Sequence, residues 1–258
     1  MRGIGILLGA ACALAAQAPA PKNMELFLLI GQSNMAGRGV IEPSDLAPIA
    51  GIYVQARDLS WKPAIDPLHY DKPDIAAGGL GRPFAKALLA AHPGATIGLI
   101  PAAFGGSALD EWKPGSTHYM EAVRRTKSAL QSGHLRGILW HQGEADSKDE
   151  ALARSYRQRF AAFIQQLRAD LGVPDVPVVA GEIGRFYRDR PNDAAKYATV
   201  VNEQIASIPE TVPHSAYVAS EGLKDKGDAT HFDTPSLREL GARYAAAFLK
   251  LDPSWRSR

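Results

Sequence analysis

The chain has 258 residues, of which 46% are hydrophobic and 22% charged, a composition typical of a globular protein with a core of its own. The formal net charge is only +2, and the 29 Lys and Arg residues form no strong basic patch. This excludes the charge pattern of proteins that bind nucleic acid or an anionic membrane surface.

Residues 1–20 have the pattern of a secretory signal peptide. A positive start precedes the uncharged apolar run 3–16, and residues 13–15 and 16–18 offer small-residue cleavage sites. The run is too short to span a bilayer comfortably. We therefore predict a secreted or periplasmic protein whose remaining chain, 21–258, forms one domain. A lipid anchor through Cys12, the only cysteine, and a buried N-terminal helix are the alternatives.

Apolar runs alternate with helical patterns along the rest of the chain. Strands are predicted at 24–30, 51–55, 96–100, 137–140 and 176–180, with a sixth candidate at 215–219. Helices are predicted at 83–91, 120–131, 150–171, 194–207 and 236–249. This alternation indicates a parallel sheet covered on both faces. Because such sheets bind ligands beyond the carboxyl ends of their strands, we expect catalytic residues directly after the apolar runs.

A serine follows the first predicted strand, in the segment Gly31-Gln32-Ser33-Asn34-Met35-Ala36-Gly37. A turn that leaves a buried strand presents the Ser33 hydroxyl and backbone N–H at the edge of the sheet. The segment is not the G-x-S-x-G elbow, because Met35 stands where the second glycine belongs. The alternative is a tight turn in which Ser33 caps the next helix.

Two glycines, Gly105 and Gly106, follow the predicted strand at 96–100. They allow the backbone to approach a ligand closely and to direct an N–H at it, or they serve turn geometry alone. Nucleotide binding is not indicated, since the chain has no P-loop and no G-x-G-x-x-G after its first strand.

The fourth predicted strand ends in Trp140-His141-Gln142-Gly143-Glu144, which places an imidazole, an amide and a carboxylate on one loop. An amide such as that of Gln142 can donate a hydrogen bond to a developing oxyanion. His141 and Glu144 are two candidate metal ligands without a third nearby, which favours structural roles over a metal site.

Asp228 and His231 precede the last predicted helix. An aspartate three residues before a histidine can accept from Nδ1–H and leave Nε2 free as a base. The alternative is a turn-capping aspartate beside a surface histidine. With Ser33, the pair completes the order Ser…Asp…His of a catalytic triad.

Taken together, these segments resemble the SGNH hydrolases, and more closely the carbohydrate-esterase group that contains acetylxylan esterases and sialate O-acetylesterase-like proteins. The matches are Gly31 to Gly37, Phe104 to Ser107 with Glu111-Trp112, Trp140 to Glu144, and Asp228 to His231. The resemblance implies a three-layer α/β/α sandwich of flavodoxin type with a central, mostly parallel sheet of about five strands. It also implies a carboxylic ester hydrolase that acts on acetylated carbohydrate and needs no metal or organic cofactor.

The resemblance also assigns roles by position. Ser33 would be the nucleophile, His231 the base and Asp228 the residue that orients it. The oxyanion hole would comprise the backbone N–H groups of Ser33 and Gly106 and the side chain of Gln142. Residues expected to support the site from behind are Gln32, Asn34, His141 and Glu144. Glu144 would support His141 or act as a second acid.

We therefore expect an enzyme that deacetylates xylan or a related polysaccharide outside the cytoplasm. A sialate O-acetylesterase, a short-chain lipid or thioester hydrolase, and a carbohydrate-binding protein without catalysis are the alternatives. The intact Ser, Asp and His set argues against the last of these. Trp61, Trp112 and Trp140 either stack on sugar or pack in the core.

Overall fold

The computed structural model of the protein describes residues 21–191 and 193–257. The predicted signal peptide over residues 1–20, including Cys12, lies outside this part of the chain. Among the described residues, no helix is both long enough and apolar enough to cross a membrane.

A seven-stranded sheet forms the centre of the fold. Its strands are β1 (Met24–Gly31), β2 (Ile52–Gln55), β3 (Trp61–Pro63), β4 (Ile97–Pro101), β5 (Gly133–His141), β6 (Val178–Gly181) and β7 (Ser215–Val218). The spatial order is β3-β2-β4-β1-β5-β6-β7, and every neighbouring pair is parallel except β2 and β3. The predicted mostly parallel sheet is therefore confirmed.

The sheet has two more strands than the expected five. One of them, β7, forms at the sixth candidate segment. The other, β3, was not predicted, because its three residues are partly or fully exposed and form no apolar run. Such a short antiparallel edge strand leaves no periodicity for a sequence to show.

Helices cover both faces of the sheet. They are α1 (Ser33–Ala36), α2 (Gly81–Ala91), α3 (Thr117–Ala129), α4 (Glu150–Arg154), α5 (Tyr156–Leu171), α6 (Ala198–Ala206) and α7 (Thr234–Leu251). The helix predicted over 150–171 is divided in two at Ser155, whose ψ of 2° leaves the α region. The apolar periodicity continues across this break, which is why the sequence predicted one helix.

Alternate residues of β1 supply the two halves of the core. Leu26 and Leu28 belong to one buried cluster, which includes residues of α3, α5 and α6. Phe27 and Leu29 face the other cluster, with residues of α2 and α7. Because successive strand side chains point to opposite faces, this alternation confirms the three-layer α/β/α sandwich.

The three central strands bring the predicted motifs to one edge. β4 and β5 flank β1, and Gly31 at the end of β1 is paired with His141 at the end of β5. A Cβ atom at Gly31 would lie 2.2 Å from the carbonyl oxygen of His141, and the φ of Gly31 is +130°. Only glycine fits this position, which lets the chain turn into Ser33 directly beside β5.

Candidate active site

Ser33 begins the short helix α1, immediately after β1, and the N-cap position is taken by Gln32. Ser33 does not itself cap the helix. The first N–H groups of a helix have no intrahelical partner, and no hydrogen bond from the Ser33 N–H occurs within the described chain. Ser33 is 7% exposed, so its hydroxyl and its free N–H lie at a largely buried point of the sheet edge.

His231 and Asp228 meet Ser33 from the loop before α7. The Nε2 atom of His231 lies 3.0 Å from Ser33 Oγ, although the two residues are 198 positions apart. The Nδ1 atom of His231 lies 2.7 Å from Asp228 Oδ2. The three predicted triad residues therefore form a continuous hydrogen-bonded chain from carboxylate to hydroxyl.

The second carboxylate oxygen of Asp228 is held by the backbone. Its Oδ1 atom accepts hydrogen bonds from Thr230 N at 2.9 Å and His231 N at 2.7 Å. Burial acts to raise the pKa of Asp228, but the hydrogen bonds from His231 and Thr230 outweigh it and hold this pKa below its ordinary value. Asp228 is therefore ionised and accepts the Nδ1–H of His231.

Burial is the main influence on His231. It lowers the pKa of the imidazole below its ordinary value of 6.5, and the Asp228 carboxylate opposes this only in part. At neutral pH the ring is thus uncharged, with its proton on Nδ1 toward Asp228. Nε2 is then free to accept the proton of Ser33.

Gly106 lies on the loop after β4, next to the turn that carries Ser33. Phe104 N donates to Gly31 O at 2.9 Å, which joins the two loops. Gly106 has a φ of +86°, and its N–H donates to no other group of the described chain. Ser33 and Gly106 therefore supply two unused backbone donors on adjoining loops, as an oxyanion hole requires.

The structure places the Gln142 amide differently from the prediction. Gln142 Nε2 lies 2.7 Å from Asp146 Oδ2, 3.0 Å from Ser107 O and 3.2 Å from Gln32 Oε1. An amide nitrogen has only two hydrogens, and these acceptors use both. The fully buried Gln142 therefore fixes the loop that carries Gly106 and does not direct a free N–H at an oxyanion.

Sequence reasoning missed the residues that orient Gln142. The Tyr156 hydroxyl lies 2.7 Å from Gln142 O and 2.9 Å from Gln142 Oε1, so its one proton is shared between the backbone and side-chain oxygens of Gln142. The buried carboxylate of Asp146 is paired with Arg159 at 2.7 Å and also accepts from Leu109 N. The only signal in the sequence was an acidic residue two positions after Glu144, which does not reveal its partners.

Asn34 brackets His231 from both sides. Its Nδ2 donates to Thr230 O at 3.1 Å, and its Oδ1 accepts from Phe232 N at 3.1 Å. Asn34 is 1% exposed and follows Ser33 directly. It therefore ties the turn that carries Ser33 to the two peptide groups on either side of His231.

Glu144 supports Asn34 and not His141. Its Oε1 accepts from Asn34 Nδ2 at 2.6 Å, whereas Oε2 has no hydrogen-bond partner among the described residues. His141 Nδ1 lies 3.0 Å from the Tyr244 hydroxyl, which itself donates to Trp140 O. Burial lowers the pKa of His141 to about 3, so this ring stays neutral.

Glu144 makes stability depend on pH. Burial, with a smaller contribution from Asp146, raises the pKa of this carboxyl from 4.5 to about 7. The folded state thus binds the proton more tightly than the unfolded chain, and wild-type stability falls as the pH rises from 4.5 to about 7. Glu144→Gln has no proton to lose. We therefore compare the melting temperature of E144Q with that of wild type at each pH. The difference, E144Q minus wild type, should be larger at pH 8 than at pH 4.

The matched control is Glu221→Gln, at a glutamate whose side chain is 76% exposed. Thermal unfolding followed by circular dichroism at the two pH values gives both differences. An E144Q difference that is the same at pH 4 and pH 8 would contradict the inference.

Of the three tryptophans considered for sugar stacking, two lie in the core and one lies in an edge strand. Trp112 and Trp140 are fully buried and contact each other edge to face at 5.3 Å. Trp61 lies in the edge strand β3 and donates its Nε1–H to Ser132 Oγ. Core packing is therefore the function of Trp112 and Trp140.

Comparison with known proteins places this site in a family. Residues 23–250 match the family model described as carbohydrate esterase, sialic acid-specific acetylesterase. A curated relative, a probable carbohydrate esterase of Arabidopsis thaliana, is 34% identical in an alignment 257 residues long. The match covers 90% of this chain and 93% of the relative.

Solved structures show the same fold. An X-ray structure of an Arabidopsis thaliana protein has a TM-score of 0.80 and 33% identity, covering 89% of this chain and 99% of that protein. A carbohydrate acetylesterase of Xanthomonas citri has a TM-score of 0.68 and 21% identity, covering 89% of this chain and 57% of its own. An acetyl xylan esterase of Geobacillus stearothermophilus has a TM-score of 0.52 and 13% identity, covering 90% and 95%.

The Xanthomonas citri and Geobacillus stearothermophilus structures, with 21% and 13% identity, show only that the α/β fold is shared. The family model, in contrast, matches nearly all the described residues. It is this match, with the relative at 34% identity, that decides the family. The chain belongs to the carbohydrate esterases of the sialic acid-specific acetylesterase type, and is a carboxylic ester hydrolase with an SGNH-hydrolase fold.

Proposed function

We propose that this protein removes O-linked acetyl groups from acetylated xylan or a related acetylated glycan, through an acyl-enzyme formed on Ser33. The observation that carries the proposal is the chain Asp228–His231–Ser33, with atoms 2.7 and 3.0 Å apart. The names of the family and of the acetylesterases with the same fold support acetyl as the acyl group and carbohydrate as the alcohol.

The first half of the reaction acylates the serine. As His231 Nε2 takes the hydroxyl proton, Ser33 Oγ attacks the ester carbonyl carbon. The negative charge that develops on the carbonyl oxygen is stabilised by the N–H groups of Ser33 and Gly106. The C–O bond to the sugar then breaks, and the sugar oxygen leaves with the proton from His231.

The second half returns the enzyme to its starting state. A water molecule gives a proton to His231 Nε2 and attacks the acetyl carbonyl, through the same stabilised anion. Collapse of this intermediate breaks the bond to Ser33 Oγ, which recovers its proton from His231. The product is acetic acid, which keeps the second proton of the water and loses it to the solvent to become acetate.

Acetate release tests the substrate. We expect the protein to release acetate from acetylated xylan and to hydrolyse 4-nitrophenyl acetate faster than the octanoate. Faster cleavage of the long-chain ester, with no acetate from any glycan, would favour a lipid or thioester hydrolase. Preference for O-acetylated sialic acid over every acetylated polysaccharide would favour the sialate esterase, which the family name also admits.

The pH profile tests His231 as the base. Because burial lowers its pKa below 6.5, the imidazole stays uncharged to a lower pH than an exposed histidine. kcat/KM for 4-nitrophenyl acetate should therefore rise with pH to a plateau, with the midpoint of the acidic limb below 6.5. A midpoint above this value would contradict a neutral, buried base.

We also propose that the protein acts outside the cytoplasm. The support is the sequence of residues 1–20, with its positive start, apolar run and small-residue sites. Expression of the full chain followed by N-terminal sequencing of the exported protein tests this. A product that keeps Met1 and stays in the cytoplasm would contradict it.

A further inference from the structure

A cavity lies beside the loop that carries Gly106 and is lined in part by Phe104 of that loop. Its volume of about 560 Å³ is within the range of about 300–1,000 Å³ that small-molecule sites occupy. It is bounded by residues that follow β2 and β3, by the end of β4 and by α3. The lining residues that matter here are Arg57, His69, Asp71, Phe104 and Met120.

Two residues that line this cavity each have a fully buried polar atom without a hydrogen-bond partner among the described residues. His69 Nδ1 accepts from Ala103 N at 3.2 Å, so the ring proton lies on Nε2, which donates to no group of the described chain. Asp71 uses Oδ2 for Arg38 and Gly105, while its Oδ1 accepts from no described residue. His69 is 3% exposed, and the Asp71 side chain is 2% exposed.

Such a donor and acceptor point to a bound group, because buried polar atoms in folded proteins are almost always hydrogen-bonded. A hydroxyl both donates and accepts, so neighbouring hydroxyls can satisfy His69 Nε2–H and Asp71 Oδ1 together once these two buried side chains turn toward the cavity. A carboxylate or phosphate can satisfy only the histidine and would be repelled by Asp71.

The cavity is also lined by three arginines, of which Arg124 and Arg125 are paired with Glu121, and by apolar side chains. Arg57 is exposed and makes no hydrogen bond or ion pair with the described residues. Met120 is 53% exposed, and Phe104 stacks on His118 with ring centroids 4.0 Å apart. An arginine beside apolar side chains suits a sugar ring, which has hydroxyls at its edge and C–H groups on its faces.

The cavity is also close to the proposed chemistry. The carboxylate of Asp71 holds Gly105 N at 2.7 Å, and Gly105 directly precedes Gly106. A sugar bonded to Asp71 Oδ1 would thus contact the same carboxylate that positions the oxyanion loop.

We propose that this cavity is a glycan subsite, which binds an uncharged sugar unit neighbouring the acetylated one. The proposal rests on the proposed function, since it assigns a place to a further part of the same substrate. It predicts that the enzyme distinguishes acetylated oligosaccharides from small acetyl esters by contacts distant from Ser33.

Arg57→Ala and Met120→Ala test the subsite by kinetics. For acetylated xylo-oligosaccharides we expect kcat/KM to fall by about tenfold in R57A, the effect of losing a hydrogen bond to a charged group. The value for 4-nitrophenyl acetate should stay within about twofold, because this ester does not reach the cavity. The control is Arg188→Ala, which removes the same charge from a different cavity. Equal losses on both substrates, or none in R57A and M120A, would overturn the proposal.

Binding without turnover separates this proposal from the function itself. Ser33→Ala protein is titrated with xylo-, manno- and gluco-oligosaccharides free of acetyl groups, by calorimetry. We expect at least one of them to bind, and its affinity to fall about tenfold when Arg57→Ala is added. No binding, or binding unaffected by Arg57→Ala, would overturn the subsite. Wild type that binds these sugars at Arg57 yet releases no acetate would overturn the proposed function and leave the subsite supported.

Discussion

Replacing Ser33 by alanine is expected to lower kcat for 4-nitrophenyl acetate by about 10⁶-fold, the loss that follows removal of a serine nucleophile from a triad. Ser33 Oγ lies 3.0 Å from His231 Nε2, and it is the one hydroxyl among the described residues that is paired with this base. The variant should remain folded, because alanine removes one hydroxyl and leaves the backbone of α1 unchanged. Steady-state assays with a detection limit well below the predicted rate, and circular dichroism, measure the two effects.

Ser44→Ala is the matched control, since Ser44 is an exposed serine in the short 3-10 helix Pro43–Leu46. It should retain wild-type kcat. If S33A keeps activity within about tenfold of wild type, the acyl-enzyme on Ser33 is wrong, since even partial loss of a triad costs more. Intact-mass analysis after rapid mixing with substrate gives a second test, because only wild type should gain an acetyl group.

Asp228→Asn is expected to lower kcat by about 10⁴-fold while leaving the fold intact, the effect of a triad histidine held in the wrong tautomer. Two backbone N–H groups, of Thr230 and His231, bind Oδ1 of Asp228. They keep the amide oxygen of asparagine in this place, so the amide NH₂ replaces Oδ2 and faces His231 Nδ1. The ring must then accept at Nδ1 and carry its proton on Nε2, where it no longer accepts from Ser33.

Asp74→Asn is the control, at an exposed aspartate remote from His231 in the chain. The kinetic effect and its cause are measured separately. Nitrogen-15 chemical shifts of His231 should show the proton on Nδ1 in wild type and on Nε2 in D228N. A D228N enzyme with near wild-type kcat, or with an unchanged tautomer, would show that Asp228 does not orient the base.

The sequence was sufficient for the elements that are buried on both faces. β1, β4 and β5 were predicted within a few residues of their observed positions, because a strand between two helical layers is a continuous apolar run. Where burial is incomplete the signal disappears. β3 is three residues at the exposed edge, and Ser155 interrupts a helix whose apolar periodicity continues past it.

The position of Ser33 at the edge of the sheet followed from the sequence, whereas Asp228 and His231, which precede the last helix, were joined to it by the order Ser…Asp…His. In a parallel sheet the carboxyl ends of the strands share one edge, so the residues that follow the apolar runs converge there. The glycines are explained in the same way. Gly31 must lack a Cβ beside His141, and Gly106 has a φ of +86°, a conformation that favours glycine.

Only the tertiary structure decided which polar side chains are partners. The Gln142 amide, predicted as an oxyanion donor, is bound by Asp146, and Glu144 supports Asn34 across 110 residues. The cavity that holds His69 and Asp71 combines segments that no local pattern connects. The sequence by itself determined the layers, because hydrophobic periodicity is a local property, and it supplied the order Ser…Asp…His. The roles predicted for the N–H groups of Ser33 and Gly106 were implied by the resemblance to a known family. Hydrogen-bond partners depend on angstrom-scale distances between remote segments, and these exist only once the chain has folded.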